Sequence, residues 1–302
     1  MRDVSDDIFS AVMEDMRRAA EAEILPRFLG VTAEGIRTKT APDDLVTDAD
    51  LGAERRLTEA LSARFPQALL IGEEAVSADS AILARLADAD LAVIIDPVDG
   101  TWNFAHGLPL FGMIVAIVSG GETVAGLIHY PVTGDFLAAR PGRGAWHIAR
   151  DGTQTRLSVA PPGPIGEMHG FVPLHMFPAE EQPVYARSML HFARTTTWRC
   201  SAYEYRTVAT GAMSFSLNAE LKPWDHAAGV LIHHEARGYG ALLSGEAYRP
   251  AMTKGRLLLA PDAESWEAIR RVLSRGDSGC GSVRHCDGVK FGRSATHPPS
   301  FL

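Results

Sequence analysis

Cysteine is scarce in this chain: three residues in 302, Cys200, Cys280 and Cys286. So few thiols cannot form the disulfide framework of a small secreted domain, and a reducing cytoplasm suits them. Long apolar runs are also missing. The longest, Leu108 to Val118, is broken by Pro109 and Gly112 and is too short to span a bilayer. There is no basic excess either: 29 Lys and Arg stand against 37 Asp and Glu, a formal charge of −8. That excludes broad nucleic-acid binding, which needs a cationic footprint. The opening residues, Met1 to Asp7, are too acidic to read as a secretory or transit segment. No internal repeat occurs.

What remains is an ordinary globular composition, 46% hydrophobic and 22% charged. A chain of 302 residues predicts one large or two mid-sized domains. Ile8, Phe9, Val12, Met13 and Met16 fall at helical spacing and predict an amphipathic helix over 4–29. A polar, turn-rich stretch follows Gly35. Thr47, with Asp50 three positions on, predicts a capped helix whose stripe continues through Leu57, Leu61 and Phe65 to a stop at Pro66. Residues 68–71 read as a buried strand, 79–87 as a helix, and Leu91–Ile95 as a second strand ending at Asp96.

Four further strands, over 111–118, 123–129, 136–139 and 145–149, are separated by glycine turns. They predict a largely antiparallel meander, hence an α+β N-terminal domain over 1–159. The proline-rich segment 160–164 marks the boundary. Helices near 203–210, 225–237 and 263–273 and strands near 212–217 and 256–260 predict a C-terminal α/β domain over 160–275. The polar, glycine-rich 276–302 reads as a flexible tail.

The acids are not evenly scattered. Glu73 and Glu74 directly follow one apolar strand, and Asp96 and Asp99 follow another. Strand ends are rigid platforms for ligands, and hard cations such as Mg²⁺ take carboxylate and carbonyl oxygens. Pro97 stiffens the loop between the two aspartates, and the Val98 carbonyl adds a third oxygen. Gly100 lets an anion approach the backbone, and a helix beginning near Thr101 would present free N–H groups. A metal-bridged phosphate site and a structural turn both fit this spacing. An acidic protein handling an anionic substrate needs such bound cations.

Asp96-Pro97-Val98-Asp99-Gly100-Thr101-Trp102-Asn103-Phe104 resembles the first signature of the inositol monophosphatase family, and Trp224-Asp225-His226-Ala227-Ala228-Gly229 resembles its second. Gly72-Glu73-Glu74 and Asp44-Leu45-Val46-Thr47-Asp48-Ala49-Asp50 match in order, so the likeness spans about residues 5–273. The resemblance implies the layered αβαβα sandwich of the sugar phosphatases, between α+β and α/β in class. It also implies a homodimer and Mg²⁺-dependent, lithium-sensitive hydrolysis of a small phosphorylated metabolite by metal-activated water, with two to three Mg²⁺ per site. Glu73, Asp96, the Val98 carbonyl, Asp99 and Asp225 would hold the metal. Thr101, oriented by Asp50, would take a proton from the attacking water, and Glu73 would help to place a third Mg²⁺. Gly100 and Thr101 amides would hold the phosphate, near Lys39. On this reading Asp99→Asn removes activity and leaves the fold intact.

Substrate choice is less specified. Inositol-specific members carry glutamate seven positions before the second-signature aspartate, where this chain has Asn218. The family's Gly-Ser-Ala turn is Cys200-Ser201-Ala202 here. Ser201, Glu204 and Asn218 are therefore candidate substrate contacts; Glu204 either faces the substrate or pairs with an arginine. Histidinol phosphate or a 3′-phosphonucleotide on the same scaffold, or a regulatory binding role, are the alternatives. His226, His233 and His234 read as surface histidines rather than a transition-metal set, with His226, adjoining Asp225, also placed near the substrate mouth. Trp102 and Trp224 read as packing residues, and Cys280, His285 and Cys286 lack the partners for a zinc site.

Overall fold

The computed structural model describes residues 4–30, 36–39 and 45–274; the predicted tail and Asp44 lie outside them. Helix α1 (Asp6–Ala19) is capped by Ser5 and buries Phe9, Val12, Met13 and Met16 of the predicted stripe, with Ile8 half-buried. It is shorter than its pattern predicted. A π-helical turn, Ala20–Ile24, closes it before Pro26, whose ring cannot continue a helix. The turn-rich stretch holds an unpredicted antiparallel pair, β1 (Ile36–Thr38) and β2 (Leu45–Thr47). Helix α2 (Asp48–Arg64) then starts on the Thr47–Asp50 capping box that the sequence predicted.

Strand β3 (Leu69–Gly72) runs straight into a short helix, α3 (Glu73–Ala78). The helix predicted over 79–87 divides into α4 (Ala81–Ala84) and a 3₁₀ turn, Arg85–Asp88. Strand β4 (Leu91–Asp99) does not end at Asp96 as expected: it continues through a register shift between Asp96 and Asp99. A bulge is where a strand tolerates Pro97, and β3 has already ended opposite Ile95, so no neighbour there needs the missing N–H. After α5 (Thr101–Ala105), the meander follows as β5 (Gly112–Ser119), β6 (Glu122–Tyr130), β7 (Asp135–Ala139), β8 (Ala145–Ile148) and β9 (Gln154–Arg156). The sheet order is β3-β4-β5-β6-β7-β8-β9, antiparallel except for β3–β4.

The remaining chain gives β10 (His169–Phe171), α6 (Gln182–Met189), β11 (Arg194–Thr196), α7 (Ser201–Ala209), β12 (Phe215–Asn218), α8 (Pro223–Glu235), β13 (Tyr239–Leu242), β14 (Leu257–Ala260) and α9 (Ala263–Ser274). Its sheet has the order β11-β10-β12-β14-β13. Helices α1 and α2 cover one face of the first sheet, α7 and α8 lie between the sheets, and α6 and α9 cover the second. That is the αβαβα sandwich.

The strands' continuous apolar runs follow from this layering. Val93 and Ile95 of β4 face the α1/α2 core, whereas Ala92 and Ile94 face the core containing α7 and α8. β5 alternates likewise, with Met113, Val115 and Ile117 against Ile114, Ala116 and Val118. A sheet covered on both faces has no polar side, so the period of two is hidden in the sequence. The fit is tight at Gly126, where an added Cβ would lie 2.8 Å from the Ala228 carbonyl oxygen of α8.

Helix α8 also overturns the surface reading of two histidines. His226 and His233 are both buried, and only His234 is exposed. His233 Nε2 donates to the Ala260 carbonyl at 3.0 Å, and burial pushes its pKa down to about 4. His129, whose Nδ1 lies 3.1 Å from the Asp135 carbonyl, is pushed down to about 4 by the same cause. Below about 6.5 the unfolded chain protonates these rings while the native state does not, so stability is lost as pH falls from there toward 4. Each histidine contributes at most roughly 1.4 kcal/mol per pH unit in that window. His233→Gln keeps a donor for Ala260 and removes one titration. Urea melts in EDTA should therefore show the wild-type stability falling more steeply than the variant's between pH 6.5 and 4. Equal slopes would refute the assignment.

Candidate active site

The two acidic strand ends meet because β3 and β4 are parallel neighbours, which puts Glu73 beside the β4 bulge. Gly72 is required there: an added Cβ would lie 2.2–2.5 Å from the Glu54 carboxylate. That carboxylate accepts the amides of Glu74 and Ala75 at 2.8 Å each, so α2 caps the helix that Glu73 begins. Lys39 donates to Glu73 at 3.1 Å and to Glu74 at 2.6 Å. Burial and the neighbouring Glu73 charge push Glu74 up to about 8. Burial works against the charge on Lys39, but Glu73 and Glu74 outweigh it and hold its pKa above the usual lysine range.

At the end of β4, Gly100 adopts φ 88° and its absent Cβ would lie 2.8 Å from the Leu110 carbonyl oxygen. Only glycine meets both demands. Thr101 follows, its hydroxyl 2.9 Å from Asp50 Oδ1 and 3.0 Å from the Val98 carbonyl. Asp50 Oδ2 meanwhile accepts the Thr47 amide at 2.9 Å and the Thr47 hydroxyl. A single fully buried carboxylate thus caps α2 and holds Thr101, and burial pushes its pKa up to about 6. Asp48 of the same segment is exposed and pairs with Arg37.

The second half of the chain closes the site. One oxygen from each of Asp96, Asp99 and Asp225 lies within 4.8 Å of the other two. Asp225 sits in the first turn of α8. Asp99 is tied to α7: Ser201 N donates at 3.1 Å, Ala202 N at 2.5 Å and the Cys200 thiol at 3.0 Å. Those bonds revise the sequence expectation for Asp99→Asn, because an amide group would face two N–H donors and disturb the fold as well as the chemistry. Burial raises the pKa of Glu73, Asp96, Asp99 and Asp225, with Glu73 next in effect on Asp96 and Asp225 next on Asp99, which reaches about 7. Asp96 is 1% exposed and its Oδ1 is buried with no hydrogen-bond partner. Converging carboxylates, those of Asp96 and Asp99 buried and that of Asp225 half-buried, with an orphaned oxygen among them, are all hard donors and fit a divalent cation such as Mg²⁺.

The cavity above these acids is about 600 Å³ and is lined by Glu73, Asp96, Val98, Asp99, Gly100, Thr101, Ser201, Glu204, Asn218 and Asp225. Lys39 and Asp50 stand behind it, holding Glu73 and Thr101. Glu204 lines the cavity, and its Oε1 accepts the Trp198 amide at 2.8 Å and the Thr197 hydroxyl at 3.2 Å. The Asn218 Nδ2 is buried without a partner. Trp224 is buried, whereas Trp102 lines the cavity. Sequence reasoning missed Glu54, Arg199 and Lys222, the last two also on the cavity wall. Lys222 had a local signal, two positions before Trp224-Asp225; Glu54 had none.

The chain also matches known proteins. A model described as "Inositol monophosphatase family" matches residues 7–275. A fructose-1,6-bisphosphatase/inositol-1-monophosphatase of Thermotoga maritima is 29% identical, covering 70% of this chain and 77% of the relative. A histidinol-phosphatase of Chlorobaculum parvum is 30% identical over 72% of this chain and 83% of its own length. Among solved structures, the extragenic suppressor protein suhB of Bartonella henselae superimposes with a TM-score of 0.75 at 24% identity, covering 90% of this chain and all of its own. With the acids of both signatures gathered in one cavity, the chain belongs to the inositol monophosphatase family.

Proposed function

We propose that this chain hydrolyses a small phosphate monoester, with Mg²⁺ held by Glu73, Asp96, the Val98 carbonyl, Asp99 and Asp225. The observation that carries this reading is the buried acidic floor with its unpartnered Asp96 Oδ1, directly beside the Gly100–Thr101 backbone. Bound divalent ions would neutralise the phosphate and lower the pKa of attacking water. The chain's own part is positioning and proton transfer. Thr101 accepts a proton from the attacking water and passes its own to Asp50, a buried carboxyl whose raised pKa suits it to receive one. Gly100 and Thr101 amides hold the phosphate, and Lys39 fixes Glu73 in place. Ser201 and Asn218 face the leaving group across the cavity. The proposed assembly is a homodimer.

Histidinol phosphate is the second reading. Its support is the 30% identical histidinol-phosphatase and the neutral Asn218 where inositol-specific relatives are acidic. A purely regulatory role would not require the whole acidic set together. The test is phosphate release with Mg²⁺ against EDTA, using inositol phosphates, histidinol phosphate, sugar phosphates and phosphonucleotides. Turnover of at least one class, abolished by EDTA, is expected. No release from any of them would overturn the reading in favour of a binding role.

A further inference from the structure

Asp99 and Asp225 bring oxygens within 4.8 Å of each other, and like charges so close repel. They are held by different helices. Asp99 is fastened to the start of α7 through the Ser201 and Ala202 amides, whereas Asp225 belongs to the first turn of α8. Keeping the two carboxylates together therefore requires a bond between the helix starts. Tyr205 and His226 supply one. Successive helical residues point about 100° apart, so while Asp225 turns to the floor, its neighbour His226 turns toward α7. Tyr205 lies one turn along α7 from Ser201, on the same side of that helix.

Both side chains are buried, His226 3% and Tyr205 2% exposed. His226 Nε2 lies 2.8 Å from the Glu220 carbonyl, which can only accept, so this nitrogen carries the ring proton. Burial disfavours a second proton, which leaves Nδ1 as an acceptor. The Tyr205 hydroxyl, 3.0 Å away, donates to it. The tyrosine ring also rests directly on α8 at Gly229, where an added Cβ would lie 2.3–2.4 Å from three ring carbons. His226 and Gly229 are three residues apart and share a face of α8. Ring contact and hydrogen bond together fix how far α8 stands from α7 and how it is rotated. A continuous path thus runs from Asp99 through the α7 amides, Tyr205 and His226 to the residue beside Asp225.

We propose that the Tyr205–His226 hydrogen bond is a positioning clamp that holds Asp225 of α8 against Asp99 of α7, spacing the site for a divalent cation before the cation arrives. The proposal rests on the metal-dependent phosphomonoesterase reading and adds to it two residues that act through Asp99 and Asp225. Mn²⁺ binding to the substrate-free protein, followed by loss of the free-ion EPR signal, tests it. Tyr205→Phe keeps the ring on Gly229 and removes only the hydroxyl, and it should weaken Mn²⁺ binding about tenfold or more. Two substitutions of the histidine separate this bond from the one to Glu220. Asparagine sets an acceptor oxygen near the place of Nδ1, whereas glutamine sets a donor near that of Nε2. His226→Asn should therefore bind Mn²⁺ within about threefold of wild type, and His226→Gln should be as weak as Y205F. Thermal melts check that the variants fold; if Y205F is unfolded at the assay temperature, H226Q carries the same loss and decides in its place. A bond that serves only the fold would lower the melting temperatures of Y205F and H226Q and leave their Mn²⁺ affinity within about threefold of wild type. That result would overturn the proposal, and so would an H226N protein as weak as H226Q. A wild-type protein that binds no Mn²⁺ at millimolar concentration would instead overturn the metal site beneath it, and the clamp with it.

Discussion

Asp96→Asn should give a protein that melts a few degrees higher than wild type in EDTA and releases phosphate on the order of a thousandfold more slowly in Mg²⁺. The two effects share one cause. Asp96 is buried, its Oδ1 has no partner, and Glu73, Asp99 and Asp225 surround it. Without a cation the folded state must either bury an unpaired charge or take up a proton to remove it. Asparagine is a neutral isostere that does neither, so the metal-free fold gains about 1–3 kcal/mol. It is also a poor ligand for a hard divalent ion, so the site loses what the carboxylate was for.

Asp99→Asn is the informative contrast. There the carboxylate accepts two backbone amides from α7, so the same exchange should lower the melting temperature while also removing activity. Phosphate release and thermal melts on both variants check the pair. A D96N protein that hydrolyses at the wild-type rate, or that melts lower without metal, would sink the argument.

That contrast marks the limit of what the sequence made legible. The Thr47–Asp50 cap, the helix beginning at Thr101 and the strand from Leu91 were readable because each is decided within a few residues. The joint between Asp99 and the Cys200-Ser201-Ala202 turn spans about a hundred positions, and local spacing carries no trace of it. Glu54 looked like one more acid on a polar helix face; only the fold brings it to the amides of Glu74 and Ala75. Short elements without periodicity, such as β10, β11 and β13, went unread for the same reason. The histidines of α8 are different, because a signal existed. Trp224, Ala227, Ala228, Val230 and Ile232 spread over roughly 200° of the helix circumference, wider than the apolar stripe of a one-sided surface helix. Weighing that above the usual exposure of histidine would have placed His226 and His233 inside.

Thr101→Val should lower kcat by about a hundredfold or more with little change in KM, and Thr101→Ser should retain most of the rate. Valine keeps the shape of threonine and removes only the hydroxyl that lies 2.9 Å from Asp50. Asp50→Asn should slow the reaction comparably, and it should also destabilise the fold by about 1 kcal/mol. The carboxylate serves the Thr47 amide, the Thr47 hydroxyl and Thr101 together, and a carboxamide has only one acceptor oxygen for the three. Urea melts separate that structural loss from the chemical one, since T101V leaves the cap of α2 untouched. The double variant decides whether the two residues act as one relay. If Thr101 passes its proton to Asp50, breaking either link breaks the chain, and the double variant should be no slower than the slower single one. Rates that multiply would mean that the two act separately. A T101V enzyme within about threefold of wild type would remove Thr101 from the proton path altogether.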